Sequence, residues 1–176
     1  IADAGYQGTI VEREATIGGK MPKLDKTFPT MDCSACICTP KMSETGNHPN
    51  ITVKTLSEVE KVDGYVGNFQ VTIREHAKYV DYDKCTGCGL CSTKCPNKRI
   101  FNEWNELMDT RPAIYKPFEQ AVPSKPVIDP EHCTMLTRGK CGLCAKVCHT
   151  QSIHNTDEVV QVTPHERVEK QADIVV

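Results

Sequence analysis

Aromatic residues are scarce in this chain. One Trp, five Tyr and four Phe make up 6% of its 176 residues, and hydrophobic residues of every kind reach only 39%. That supply is lean for one large core, so cross-links of another sort have to compensate. An excess of one charge sign is missing too: the formal net charge is −2 and Lys and Arg are dispersed, which leaves nothing to attract nucleic acid. No apolar run approaches the roughly 18–20 residues that span a bilayer. The chain has no initiating Met and stops on the apolar Ile174-Val175-Val176, so it is expected to be an internal portion of a longer polypeptide.

Cysteine is plentiful by contrast, and eight of the eleven fall in two runs. Cys85, Cys88, Cys91 and Cys95 are spaced C-x2-C-x2-C-x3-C-P, the bacterial ferredoxin pattern for [4Fe–4S] cubes. Cys133, Cys141, Cys144 and Cys148 keep the C-x2-C-x3-C ending but open with a longer loop. In that pattern three thiolates hold one cube and the fourth reaches the other cube. The expected sets are therefore Cys85, Cys88, Cys91 with Cys148, and Cys133, Cys141, Cys144 with Cys95. Structural zinc prefers two separated C-x2-C knuckles, and disulfides belong to oxidising compartments and smaller chains. Many free thiols without a signal peptide point to a reducing, anaerobic cytoplasm.

Along the chain, Thr9–Val11 reads as a strand ending at Glu12, followed by the turn Thr16-Ile17-Gly18-Gly19. An acid after such a strand is where a dinucleotide fold binds the adenosine ribose, although no G-x-G-x-x-G is present. Pro22, Pro29 and Pro40 predict an extended loop over the next stretch rather than a helix. Alternation predicts strands at Asn50–Leu56 and Asn68–Arg74, with turns at Asp63-Gly64 and Gly67-Asn68. A ferredoxin-like segment then runs from about Lys78 to Asn155. Its internal repeat is Y-V-D-Y-D-K-C and V-I-D-P-E-H-C, each a short strand whose Asp-containing turn delivers the first ligand. Six of the eleven prolines lie between Pro96 and Pro130 and make that insert a rigid loop with Trp104 packed inside it. Val159–Val162 is strand-like and is expected beside Phe69–Ile73. The domains expected are thus 1–76 and 156–176 around an inserted 77–155.

The stretch G-G-K-M-P-K-L-D-K-T-F-P-T-M-D-C-S-A-C-I-C-T-P-K-M, the later V-D-G-Y-V-G-N-F and the C-x7-C-G-L-C opening together resemble the heterodisulfide reductase A-subunit family. The resemblance implies an α+β protein: a two-[4Fe–4S] ferredoxin domain inserted into an α/β, thioredoxin-reductase-like FAD-binding domain. It implies FAD-based electron bifurcation, with partner subunits and a hydrogenase or dehydrogenase donor in an oligomeric complex. Glu12 matches the ribose-binding acid, and Gly18 and Gly19 the loop beside the flavin; Arg13, Lys20 and Met21 complete that cofactor-binding set. The alternatives are a stand-alone ferredoxin-like carrier, a related sulfur-metabolism flavoprotein and an iron–sulfur domain without turnover. His149 departs from the proline usual after the last cysteine.

Cys33, Cys36 and Cys38 remain outside the two runs and admit three readings: ligands of a further [4Fe–4S] cluster, with Cys33 and Cys36 foremost; a Cys33/Cys36 dithiol in exchange with the flavin; or buried packing. Gly87, Gly89 and Gly142 are expected to let the backbone close over each cube. Lys94, Lys98 and Arg99 are expected to raise the potential of the first cluster. His48, His76, His132, His154 and His165 have no ligand spacing.

Overall fold

The computed structural model describes residues 1–154 and the backbone of residues 166–172. Strand β1 (Gly8–Val11) pairs in parallel with β4 (Ile51–Lys54), from Gly8 opposite Ile51 to Val11 opposite Lys54. Parallel neighbours need a long crossover, usually helical. Here it contains a short hairpin, β2 (Lys26–Thr27) and β3 (Asp32–Cys33), and then helix α1 (Ser34–Asn47). The expected extended loop is therefore corrected: its second half is helical despite Pro40. Pro40 lies one turn past the first helical residues, where it removes a single backbone bond, the one to the Cys36 carbonyl. Packing outweighs that loss. Met42 is buried against Gly18, and the Cys33 sulfur caps the helix by accepting the Cys36 N–H at 3.2 Å.

Strand β5 (Ser57–Tyr65) forms a hairpin with β6 (Asn68–Glu75), with a bulge between Val59 and Lys61. Its run of charged residues faces solvent, and Asp63-Gly64 belongs to the strand rather than to a turn. The other edge of β6 takes a strand from far along the chain (Glu166–Ala172), running from Glu166 opposite Glu75 to Ala172 opposite Phe69. Val159–Val162 lies outside the described residues. The two edges of Phe69–Ile73 are taken by β5 and by Glu166–Ala172.

Between β6 and this returning strand lies the cysteine-rich unit. It is built from α2 (Leu90–Lys94), the pair β7 (Ile100–Phe101) and β8 (Thr110–Arg111), the pair β9 (Ile114–Tyr115) and β10 (Val127–Ile128), and two short helices, α3 (Thr134–Arg138) and α4 (Leu143–Val147); the returning strand is β11. An antiparallel bridge between Val80 and Ile153 closes the unit. Its core is Val80, Ile100, Ala113, Ile114, Ile128 and Ile153, and four cysteines, Cys91, Cys95, Cys133 and Cys144, are buried among them.

The unit docks on the β1–α1–β4 layer through Val122. The Val122 N–H donates to Thr16 Oγ1 at 2.9 Å, and its carbonyl accepts from the Ile17 N–H at 3.0 Å. Its side chain fills the space above Gly46 of α1, where a Cβ would stand 2.5 Å from Val122 Cγ1. Valine is stiff at χ1 and has no easy retreat. Gly46→Ala gains about 1 kcal/mol of helix propensity but overpacks by about 1–3 kcal/mol. Chemical denaturation is expected to show a net loss of stability; a net gain would mean that Val122 is not docked there.

Candidate metal centre

Two matching turns present the first cysteine of each run. Asp81 Oδ1 accepts the N–H groups of Asp83 and Lys84 at 3.0 and 3.2 Å, and the Cys85 N–H donates to the Asp81 carbonyl at 3.0 Å. Asp129 repeats this with Glu131 and His132 at 3.0 and 3.2 Å, and the Cys133 N–H donates to the Asp129 carbonyl at 3.0 Å. An Asx turn of this kind orders the backbone just before the ligand. Backbone hydrogen bonding, led by Lys84, lowers the Asp81 carboxyl. Burial pushes Asp129 up, but Arg111 and His132 more than offset it and the carboxyl lies low. Arg111 is buried, grips both Glu103 oxygens at 2.7 Å, reaches Asp129 Oδ2 at 2.9 Å and lies 3.9 Å from the Tyr115 ring centre.

Each run ends in the same device. Gly89 and Gly142, at φ 75° and 69°, start α2 and α4 from the left-handed region that glycine alone occupies cheaply. Both helices are five residues long, pack against each other and end in Cys95 and Cys148 respectively. Helix α3 fills the longer opening of the second run and closes at Gly139. The two runs meet at a single cavity lined by Cys133, Cys141, Cys144 and, from the other run, Cys95, with Ile114 and Ile128 as apolar wall. Among the described residues no three His, Cys, Asp or Glu side chains gather as ligands of a single ion. Four thiols lining one cavity have the donor chemistry that a four-iron cube takes.

Around the other set, burial raises the Cys91 thiol, and Cys85 and Cys88 are near enough to add to the effect. Burial opposes ionisation of Cys148 as well, but Ser152 and Thr150, whose hydroxyls lie 3.3 and 3.4 Å from its sulfur, bring it down to about 7. The Gly87 N–H donates to Cys85 Sγ at 3.4 Å. Hydroxyl and N–H donors aimed at sulfur are what a thiolate ligand needs beyond its own bond.

Residues 78–98 match the family model described as a 4Fe-4S binding domain. The chain is 50% identical over 171 residues to a heterodisulfide reductase A-subunit-like protein of Archaeoglobus profundus, covering 89% of this chain and 24% of that protein. It is 48% identical to the iron-sulfur A-subunit of the CoB–CoM heterodisulfide reductase of Methanocaldococcus jannaschii, covering 84% and 22%. It is 46% identical to the A-subunit of the ferredoxin:CoB-CoM heterodisulfide reductase of Methanosarcina mazei, covering 87% and 19%. The chain belongs to the heterodisulfide reductase A-subunit family. It spans about a fifth to a quarter of the length of these relatives.

Of the flavin residues implied by that family, Glu12 follows β1 at the carboxyl end of a parallel pair, where dinucleotide folds bind ligands. One of its oxygens is engaged by the Glu14 N–H at 2.9 Å. Gly18 has a packing reason of its own, since a Cβ there would stand 2.6 Å from Met42 Sδ. Gly19 faces open space, Arg13 and Lys20 are exposed, and Met21 begins a 3-10 turn. Cys33 and Cys36 are joined in a disulfide, the oxidised form of the dithiol reading. Paired in this way the two sulfurs present no thiolate to a cluster, in contrast to the ligand reading; Cys38 is a free thiol. Lys94, Lys98 and Arg99 are exposed, and Lys98 turns away to the Thr93 carbonyl at 2.8 Å.

The charge network behind Cys133 was not foreseen, because Arg111 is remote in sequence and carries no motif. Breaking a buried, hydrogen-bonded ion pair on one side costs about 3–5 kcal/mol. Glu103 is well exposed, so Arg111→Ala is expected near the lower end, about 3 kcal/mol, in chemical denaturation. A loss below about 0.5 kcal/mol, the range of ordinary surface changes, would mean that the network does not hold the Cys133 turn.

Proposed function

We propose that this chain is an electron-transfer segment of a heterodisulfide reductase-type oxidoreductase, relaying electrons between FAD and partner proteins through two [4Fe–4S] clusters. The observation that carries the reading is the cavity ringed by Cys95 with Cys133, Cys141 and Cys144, where one run supplies a thiol to the other. When bound, the clusters supply one-electron carriage, and the flavin supplies the change between electron pairs and single electrons. Cys85, Cys88, Cys91 and Cys148 would hold the first cluster. The buried walls, the Gly87 N–H and the Ser152 and Thr150 hydroxyls would set its environment.

The wider reading is supported rather than carried by the fold. The β1–α1–β4 crossover is of the kind found in FAD domains, and the cysteine-rich unit lies between two strands of one sheet. We read 1–76 with 156–176 as part of a flavin domain and 77–155 as its inserted ferredoxin domain. The names of the relatives speak for other subunits of a heterodisulfide reductase complex as partners. A hydrogenase or dehydrogenase donor, electron bifurcation, an anaerobic cytoplasm and a role in methanogenesis belong to the same reading. No helix among the described residues is long and apolar enough to cross a membrane.

Cysteine-to-serine pairs in anaerobically prepared protein test the ligand sets. Cys95→Ser and Cys141→Ser are each expected to remove or perturb the same cluster, about four irons at most, and their double variant to lose no more. Cys95→Ser with Cys88→Ser is expected to affect both clusters. Additive loss within the first pair would reject the crossed assignment.

A further inference from the structure

We propose that Lys125 is a positioning residue that sets the reduction potential of the first cluster, held there by a strap, residues 121–125, running from the β1–α1–β4 layer to the Cys85 loop. The inference rests on the ligand sets proposed above. The strap is anchored at one end by Val122, bonded to Thr16 and Ile17 and seated on Gly46. At its other end two contacts meet the ligand loop. The Ser124 carbonyl oxygen stands where a Cβ on Gly87 would lie 2.6 Å away, so only glycine fits beneath it. The Lys125 ammonium donates to the carbonyl of Cys85 itself.

Lys125 is half-buried, so its charge is screened less than that of a surface lysine. The other cations near the first run are placed differently. Lys94, Lys98 and Arg99 are exposed, Lys84 pairs with Asp81 at 3.3 Å, and Lys78 lies over the Tyr82 ring. Lys140 and Lys146, beside the second run, are exposed. One-electron reduction adds a negative charge and neither makes nor breaks a covalent bond; the electron comes from an external one-electron donor such as dithionite. A fixed ammonium at Cys85 favours that reduced state. The strap ties this charge to the same layer that carries Glu12, so the first cluster is both held at a fixed place on that layer and biased towards accepting electrons.

Redox titration followed by electron paramagnetic resonance on the full-length protein tests this, with the first cluster identified by its altered signal in Cys85→Ser. Lys125→Met is expected to weaken reduction of that cluster about tenfold, about 59 mV for a one-electron couple, and to leave the second cluster unmoved. Lys125→Arg is expected to retain the native potential. If Lys125→Met loses iron, Lys125→Gln, which keeps a donor but no charge, is expected to give the same fall. An unchanged potential in Lys125→Gln, an equal shift of both clusters, or failure of arginine to retain the value would overturn the proposal. Native protein without any [4Fe–4S] signal would instead defeat the ligand sets on which it rests.

Discussion

A cysteine at the end of one short helix has to reach the cavity shaped by the other run, and the rest of the cysteine-rich unit is arranged so that it can. Helices α2 and α4 are five residues each because the C-x3-C spacing allows no more before the terminal thiol must be delivered. They pack against each other, and Cys95 at the end of α2 lines the cavity of the other run. Glycines in the left-handed region start both helices, and Asp turns stiffen the backbone ahead of both first ligands. The apolar side chains that remain are few, and buried cysteines stand among them as core residues. A chain poor in aromatics can hold this shape because metal–thiolate bonds, on the proposed reading, contribute folding free energy that a larger core would otherwise supply.

Much of this was legible in the sequence, since the information is local. The two cysteine spacings, the repeated Asp turns and the strands around Thr9, Thr52 and Val71 follow from short-range rules of geometry and alternation. What was missed depends on distance. Helix α1 was hidden by Pro40, whose cost is met by Met42 packing on Gly18 rather than by anything nearby in the chain. Strand β5 was hidden by its charges: from Val59 to Tyr65 every residue is exposed, so no apolar alternation marks it. The Arg111 network and the Lys125 contact with Cys85, 40 residues apart, join segments that no spacing rule connects.

The prolines of the insert acquire a purpose from these contacts. Residues 96–130 are the part of the unit that touches the β1–α1–β4 layer, through Val122, and the first ligand loop, through Ser124 and Lys125. On the proposed reading, a stiff connection of that sort would fix one redox site relative to another, which matters because electron transfer depends on separation more than on any single contact. The disulfide of Cys33 and Cys36 starts α1 of the same layer, with Cys38 free two residues on. The layer therefore presents thiol chemistry of its own at a site apart from the eight ferredoxin-type cysteines.

Iron-edge anomalous scattering from crystals grown without oxygen examines the crossed arrangement most directly. The account predicts two compact four-iron densities. One should be bounded by Cys133, Cys141, Cys144 and Cys95, and the other by Cys85, Cys88, Cys91 and Cys148. A density in which Cys95 joins its own run, or zinc scattering in place of iron, would contradict it.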